Sequence, residues 1–309
     1  MSPGEGRRRP RVAAITINWN GAVDTIELID SMPFGDVRVS VDLYVVDNNS
    51  ERQDLGLLDS FIATSGHQDR IRLIRSSTNI GVPAAYNLAI ARAGTDYEYY
   101  LRLDNDVLLA PAGIRALIEG LEEWRGQGVG IVGGNVKLHP QRDRDNGGAI
   151  SFDLLRGRNR ITYPADSTLC DGVLGCIMLV DGHLVRSLAP HVFCPWLFFS
   201  TDESELSLRA RARGVRTLYV KDTIGWHKGG RSTRKIGSRA DMFSARNWSM
   251  ITLRFAPAMA KPVIIVRLLI TTVWLAATRR VANARAVLVG LKTWCASAIN
   301  RRCACGEPD

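Results

Sequence analysis

From Val12 onward, short β-branched apolar runs alternate with longer stretches whose apolar residues recur at helical spacing. "RVAAITINW", "VDLYVVD", "IRLI", "YEYYLRL" and "VGIVGG" read as strands. Between them, residues 22–32, a stretch around 51–64, "PAAYNLAIARAG" and "PAGIRALIEGLEEW" read as helices. Four such rounds predict an α/β fold with a mostly parallel sheet and helices on both faces. Pro83 and Pro111 fall where a first helical turn tolerates proline, and Gly94 follows its helix as a stop.

The rhythm changes after Gly134. Residues 135–180 are rich in Gly, Arg and Asp, which suits hairpins or mobile loops over an active-site face. A helix in "STDESELSLRARARG" and a strand in "VRTLYV" then lead to "WHKGGRS". Beyond them "KPVIIVRLLITTVWLAATRR" is almost wholly apolar but carries Arg267. A centred arginine costs about 2.5–3.5 kcal/mol on an insertion scale, so a true membrane span is disfavoured. On a helical wheel Arg267, Thr271, Trp274 and Thr278 form a narrow polar stripe, and Arg279, Arg280, Arg285, Lys292, Arg301 and Arg302 follow. Two readings stay open: an interfacial helix pair on anionic lipid, or a helix packed on the domain with a solvated basic end.

With 309 residues, 46% of them hydrophobic, the chain can bury a sizeable core. The net charge of +9 would suggest nucleic acid if it were spread along the chain, but residues 12–254 hold as many acidic as basic side chains. The excess lies at the ends, in Arg7, Arg8, Arg9 and Arg11 and in the basic residues after Phe255, so no nucleic-acid partner is expected. Six scattered cysteines without a paired framework, and no apolar stretch near Met1, read as ordinary thiols in a reducing cytoplasm. Cys303 and Cys305 alone make a weak metal signal.

In open parallel sheets, ligands lie beyond the carboxyl ends of the strands. "TINWNG", "VVDNNS" and "LRLDNDV" close three strands, so Asp47, Asp104 and Asp106 should converge on one edge. Asp47 alone also fits an Asx turn. Asp104 and Asp106 repel each other unless protonated or bridged by a cation, and a hard divalent ion, Mg²⁺ or Mn²⁺, prefers carboxylate oxygens and implies a phosphate partner. In "FFSTDESELSLR", Ser200 and Glu203 fit a capping box, and Asp202, Glu203 and Glu205 suit a helix N-terminus. That setting also keeps a carboxylate ionised, as a general base requires. His227, expected in a flexible Gly-rich segment just after a strand, is a candidate third metal ligand.

Together "ITINWNG", "VVDNNS", "NIGVPAAYN", "LRLDNDV", "DESELSLRARARG" and "WHKGGRS" resemble the family 2 glycosyltransferases of the GT-A fold, within them the rhamnosyl- and galactofuranosyltransferase-like group. The resemblance implies a Rossmann-like GT-A domain at 12–254, with a nucleotide-binding half at 12–134 and an acceptor and metal half at 135–254. A basic disordered tail at 1–11 and a basic amphipathic helical extension at 255–309 would flank it. It implies that Thr16 and Asn18 line the nucleotide site, Asp47 holds a pyrimidine base, Asn79, Gly81 and Asn87 shape the wall beside base and sugar, and Asn105 lies with them. Asp104 and Asp106 would be the D-x-D pair, Asp106 on the metal and Asp104 toward ribose and metal, with His227 completing the metal site. Glu203 would be the catalytic base with Asp202 beside it.

The activity implied is inverting, metal-dependent transfer of a sugar from dTDP-rhamnose or a UDP-sugar to a hydroxyl of a glycan, glycolipid or natural-product acceptor. The expected location is cytoplasmic, peripheral on the inner face of the plasma membrane. The main rival is a haloacid-dehalogenase-type Mg²⁺-dependent phosphatase with Asp104 as nucleophile and Asp106 as acid. That family normally carries its aspartates on the first strand, whereas here about a hundred residues of α/β chain precede them. A nucleotidyltransferase would want more than the single glycine of "NWNGAVD" to cradle triphosphate. A non-catalytic membrane scaffold is the remaining alternative.

Overall fold

The computed structural model describes residues 8–141, 143–229 and 235–300, with side chains through 296. Strands β1 (Arg11–Asn18), β2 (Ser40–Asp47), β3 (Ile71–Arg75) and β4 (Tyr99–Leu103) alternate with helices α1 (Ala22–Ser31), α2 (Arg52–Thr64) and α3 (Val82–Ala93). Next come β5 (Val107–Leu109), α4 (Gly113–Trp124), β6 (Val129–Leu138), β7 (Asp145–Gly147), β8 (Ala149–Asp153), β9 (Arg158–Thr162), β10 (Thr168–Cys170), β11 (Gly172–Val173) and β12 (Ile177–Asp181). Helices α5 (Gly182–Leu188) and α6 (Asp202–Ala212) precede the long strand β13 (Arg216–His227), and α7 (Ser238–Phe255), α8 (Lys261–Ala277) and α9 (Val281–Asn300) close the chain.

The main sheet runs β10-β13-β6-β12-β4-β1-β2-β3, with β5 added to β13 and β7 to β6. The block β3-β2-β1-β4 is parallel, β12 runs antiparallel between β4 and β6, and β13 is parallel to β6. The order turns at β1, which pairs with β2 on one side and β4 on the other, so a crevice opens beyond their carboxyl ends. Strand periodicity divides the core between the two faces. Val12 and Ala14 of β1 pack with Leu43, Leu101, Ile114 and Leu117, while Ala13 and Ile15 pack with Tyr86, Tyr100, Leu184 and Leu206. Residues 135–180 supply β7 to β11, of which β8, β9 and β11 form a separate antiparallel sheet, and β12 returns to the main sheet.

Four local expectations are corrected. Helix α4 begins at Gly113 with Ala112 as its cap, so Pro111 lies before the helix and not in its first turn. His227 is the last residue of β13, registered against Leu138 and Val107, because the strand continues through bulges well past "VRTLYV". No capping box forms at α6: its cap is Thr201, which makes no side-chain cap bond, and Ser200 and Thr201 both have positive φ. Cys194, expected as an ordinary thiol, is disulfide-bonded, whereas Cys170, Cys176 and Cys295 are free. Cys303 and Cys305, like the expected tail residues Arg7, Arg301 and Arg302, lie outside the described residues.

Helix α7 joins the C-terminal helices to the α/β body. Gly290 of α9 lies so close to it that a Cβ there would fall 2.3 Å from the Arg246 carbonyl. Arg254 Nη1 donates to Glu205 Oε1 at 2.9 Å, linking α7 to α6. Glu205 is fully buried and also holds Arg209 through Nε at 3.0 Å and Nη2 at 3.1 Å. Arg209 in turn donates to the carbonyls of His191 and Val192. Removing one partner from such a network strands a buried charge. Glu205→Ala is expected to lower stability by about 3–5 kcal/mol, read as a reduced urea midpoint, while a surface control such as Glu51→Ala leaves the midpoint within error.

Candidate active site

A cavity of about 1010 Å³ opens at the carboxyl ends of β1 and β4. Its floor is the turn after β4. Asp104 is fixed through its N–H, which donates to the Cys176 carbonyl at 2.9 Å, and the Asp106 carbonyl accepts from Lys228 N at 2.9 Å. The ligand atoms of Asp104, Asp106 and His227 lie within 4.8 Å of one another, and His227 Nε2 sits 3.0 Å from Asp106 Oδ1. Asn146 Nδ2 is 2.9 Å from His227 Nδ1, which fixes the ring from behind. Burial opposes the charge on His227, but Cys176 and the hydrogen-bonded Asp106 override it and raise the pKa to about 11. Burial raises the Asp104 pKa, opposed by Arg102 and His227. Two carboxylates and an imidazole at this spacing fit a hard or borderline divalent ion, which would displace the imidazole proton.

Across the floor, Asp202 and Glu203 open α6. Asp202 is buried and lies 3.2 Å from the Arg102 guanidinium, which also approaches Asp104 at 3.7 Å and lies over the Tyr86 ring. Burial raises the Glu203 pKa to about 7, reinforced by Asp202 and opposed by Arg102. Gly175 makes room for this cation, since a Cβ on it would stand 1.7 Å from Arg102 Nη1 and 3.0 Å from the Glu203 Cβ.

The loop ahead of α6 is held from outside. Phe198, Ser200 and Thr201 all have positive φ, which non-glycine residues adopt only when the surroundings compel it. Fully buried Asn247 of α7 supplies much of that compulsion, donating to the carbonyls of Leu197, Phe199 and Ser200 at 3.2, 2.9 and 3.0 Å. Arg246 donates to the carbonyls of Trp196 and Leu197. On the other side Gly81, with φ +82, brings the start of α3 against Phe198, and Val82 N donates to the Phe198 carbonyl at 2.7 Å.

Of the residues expected to bind nucleotide, Asn79, Gly81, Asp104 and Asn105 line the cavity, as do Asp106, His227, Asp202 and Glu203. Thr16, Asn18, Asp47 and Asn87 are not among the lining residues. Asn18 ties Asp47, Ser50 and Asp54 together with one amide nitrogen, at 3.0, 3.1 and 2.8 Å. Asp47, expected to hold a base, accepts from Asn18 and from Ser50 N, and it is the next residue, Asn48, that faces the cavity. Asn87 makes paired bonds to the Phe193 backbone, and Thr16 is buried in the sheet. Sequence reasoning missed Arg102, Tyr86, Gly175 and Asn247. "YYLRLDND" does show a charged residue in an otherwise apolar strand, two before Asp104, and that was the one available signal.

Residues 39–181 match the family model described as Glycosyl transferase family 2. That stretch, a little under half of the chain, is similar to glycosyl transferase family 2. The chain shares its fold with solved glycosyltransferase structures. It is similar to mannosyltransferase PcManGT from Pyrobaculum calidifontis in complex with GDP-Man and Mn²⁺, with TM-score 0.55, 15% identity, and 93% of this chain and 87% of that one covered. It is also similar to S. aureus TarS 1–349 in complex with UDP-GlcNAc, with TM-score 0.55, 15% identity, and 82% and 70% covered. GalNAc-T7 with UDP, GalNAc and Mn²⁺ aligns at TM-score 0.58 and 12% identity, covering 84% of this chain and 54% of that one. No curated protein sequence matches the chain. The GT-A glycosyltransferase fold removes the phosphatase reading, since the aspartate pair follows the fourth strand in chain order.

Asn247→Leu keeps the side chain's size but deletes the one amide nitrogen that donates to three carbonyls. At about 1 kcal/mol per bond, the expected loss is about 2–3 kcal/mol in chemical denaturation, with new protease sensitivity confined to residues 196–203.

Proposed function

We propose that this glycosyltransferase moves a sugar from a pyrimidine nucleotide-sugar, dTDP-rhamnose or a UDP-sugar, to a hydroxyl of a glycan, glycolipid or natural-product acceptor, with inversion at the anomeric carbon. The observation that carries the reading is the opposition, across one cavity, of Asp104, Asp106 and His227 to a Glu203 whose pKa is raised to about 7. The GDP-Man, UDP-GlcNAc and Mn²⁺ named with the structural neighbours support a nucleotide-sugar donor and a divalent ion.

In this reading the donor's diphosphate lies over the D-x-D turn and its base toward Asn48, Asn79 and Gly81. Asp104, Asp106 and His227 would hold a Mg²⁺ or Mn²⁺ ion, which when bound would supply positive charge against the departing diphosphate. Glu203 accepts the proton of the acceptor hydroxyl as its oxygen attacks the anomeric carbon. Glu203 takes this role over Asp202 because Asp202 is already committed to the Arg102 guanidinium. Arg102 holds Asp202 in place and, as a cation near Glu203, limits the rise that burial and Asp202 produce.

Two outcomes test the proposal. UDP or dTDP with Mn²⁺ should raise the Tm of the wild type, while Asp106→Asn, measured against its own apo Tm, loses the Mn²⁺-dependent rise; absence of any metal-dependent shift with either nucleotide rejects the site. A panel of nucleotide-sugars, scored for metal-dependent turnover, identifies the donor. With that donor, kcat/KM should rise as pH passes through about 7, because only the ionised carboxylate accepts a proton. Glu203→Gln should lower kcat by at least about a hundredfold and abolish that limb of the profile.

A further inference from the structure

The C-terminal helices present two faces of opposite commitment. On α8, Ile264, Leu268 and Leu275 are buried against the protein. Arg267, near the helix middle, donates to the Arg156 carbonyl in the β8–β9 turn at 2.7 Å, and the expected polar stripe ends there, because Trp274 points outward with the apolar residues. Val263, Val266, Ile270, Val273 and Trp274 follow one another at helical spacing, each more than half exposed. Met259, just before the helix, is 93% exposed. On the neighbouring α9, Val281, Arg285, Leu288 and Lys292 recur at four- and three-residue steps, all exposed. From Phe255 to Asn300 the sequence contains no Asp or Glu.

A row of large apolar side chains facing water is costly for a soluble monomer and marks a surface that something covers. We infer that α8 and α9 lie in the plane of an anionic lipid bilayer, with Val263, Val266, Ile270, Val273 and Trp274 inserted at the headgroup boundary and Arg279, Arg280, Arg285 and Lys292 on the lipid phosphates. Charge selects this occupant. The acid-free basic collar complements an anionic membrane, whereas a two-fold contact with a second copy would set the same cations against each other. Ala258–Ala277 is long and apolar enough to cross a membrane, but one flank of that helix is packed on the protein and Arg267 is bonded to the hairpin at mid-length. Those contacts hold it on the surface rather than through it. This docking is independent of the donor chemistry, and its failure leaves the glycosyltransfer reading untouched.

The test is flotation of the full-length protein with phosphatidylcholine vesicles, with and without phosphatidylglycerol, alongside light scattering. The wild type should float with the anionic vesicles, remain behind with the neutral ones, and be released by high salt or alkaline carbonate. Ile270→Glu with Val273→Glu should abolish flotation, and Arg279→Ala with Arg280→Ala should weaken it roughly thirtyfold, both with an unchanged Tm, since all four side chains are exposed. The inference is overturned if the wild type does not float, if the glutamate variant floats as well as the wild type, if carbonate fails to extract it, or if the same variants instead abolish a dimer seen without lipid.

Discussion

Four carboxylates, those of Asp104, Asp106, Asp202 and Glu203, share the wall of one cavity. Two such charges about 4 Å apart repel by about 4 kcal/mol at the effective dielectric of a protein surface, a large fraction of the 5–15 kcal/mol that holds a typical domain together. The chain relieves this by interleaving cations of fixed position. Arg102 reaches up from β4 to Asp202 and Asp104, and His227 arrives from β13 beside Asp106. The residual strain appears as the upward displacement of Asp104 and Glu203, both caused first by burial.

The sheet makes that geometry affordable in conformational terms. Asp104 follows a strand packed between β1 and β12, so its position is set by a ladder on either side. The start of α6 has no such ladder. It stands on a loop with three non-glycine residues in left-handed backbone geometry, and the stabilising bonds come from α7, about fifty residues further along. The two sides of the cavity are therefore built by different means: one by regular pairing, the other by side-chain amides and guanidinium groups grasping an irregular backbone.

This difference decides what could be read in the sequence. The parallel block, with its βα rhythm, and the aspartates at the end of β4 follow from periodicity alone, because strand ends in such sheets point to one edge. Asp202, Glu203 and His227 stood out as carboxylates at a helix start and an imidazole near a strand end, the resemblance gave them roles, and the cavity brings all of them together with Asp104 and Asp106. What failed were inferences about which way a side chain faces. Asn18 and Asp47 stand at the correct strand ends, yet they are drawn into a knot with Ser50 and Asp54 behind the wall. The capping box failed because the loop before α6 is governed by Asn247, a long-range contact with no local signature. Trp274 failed because an indole counts as polar on a wheel and apolar at an interface.

Gly175 illustrates how narrowly such a site can vary. Its missing methyl group is the space the Arg102 guanidinium occupies, and Glu203 lies on its other side. Any side chain at this position would have to push the guanidinium aside and crowd Glu203, so the two positions are sterically coupled although 73 residues separate them.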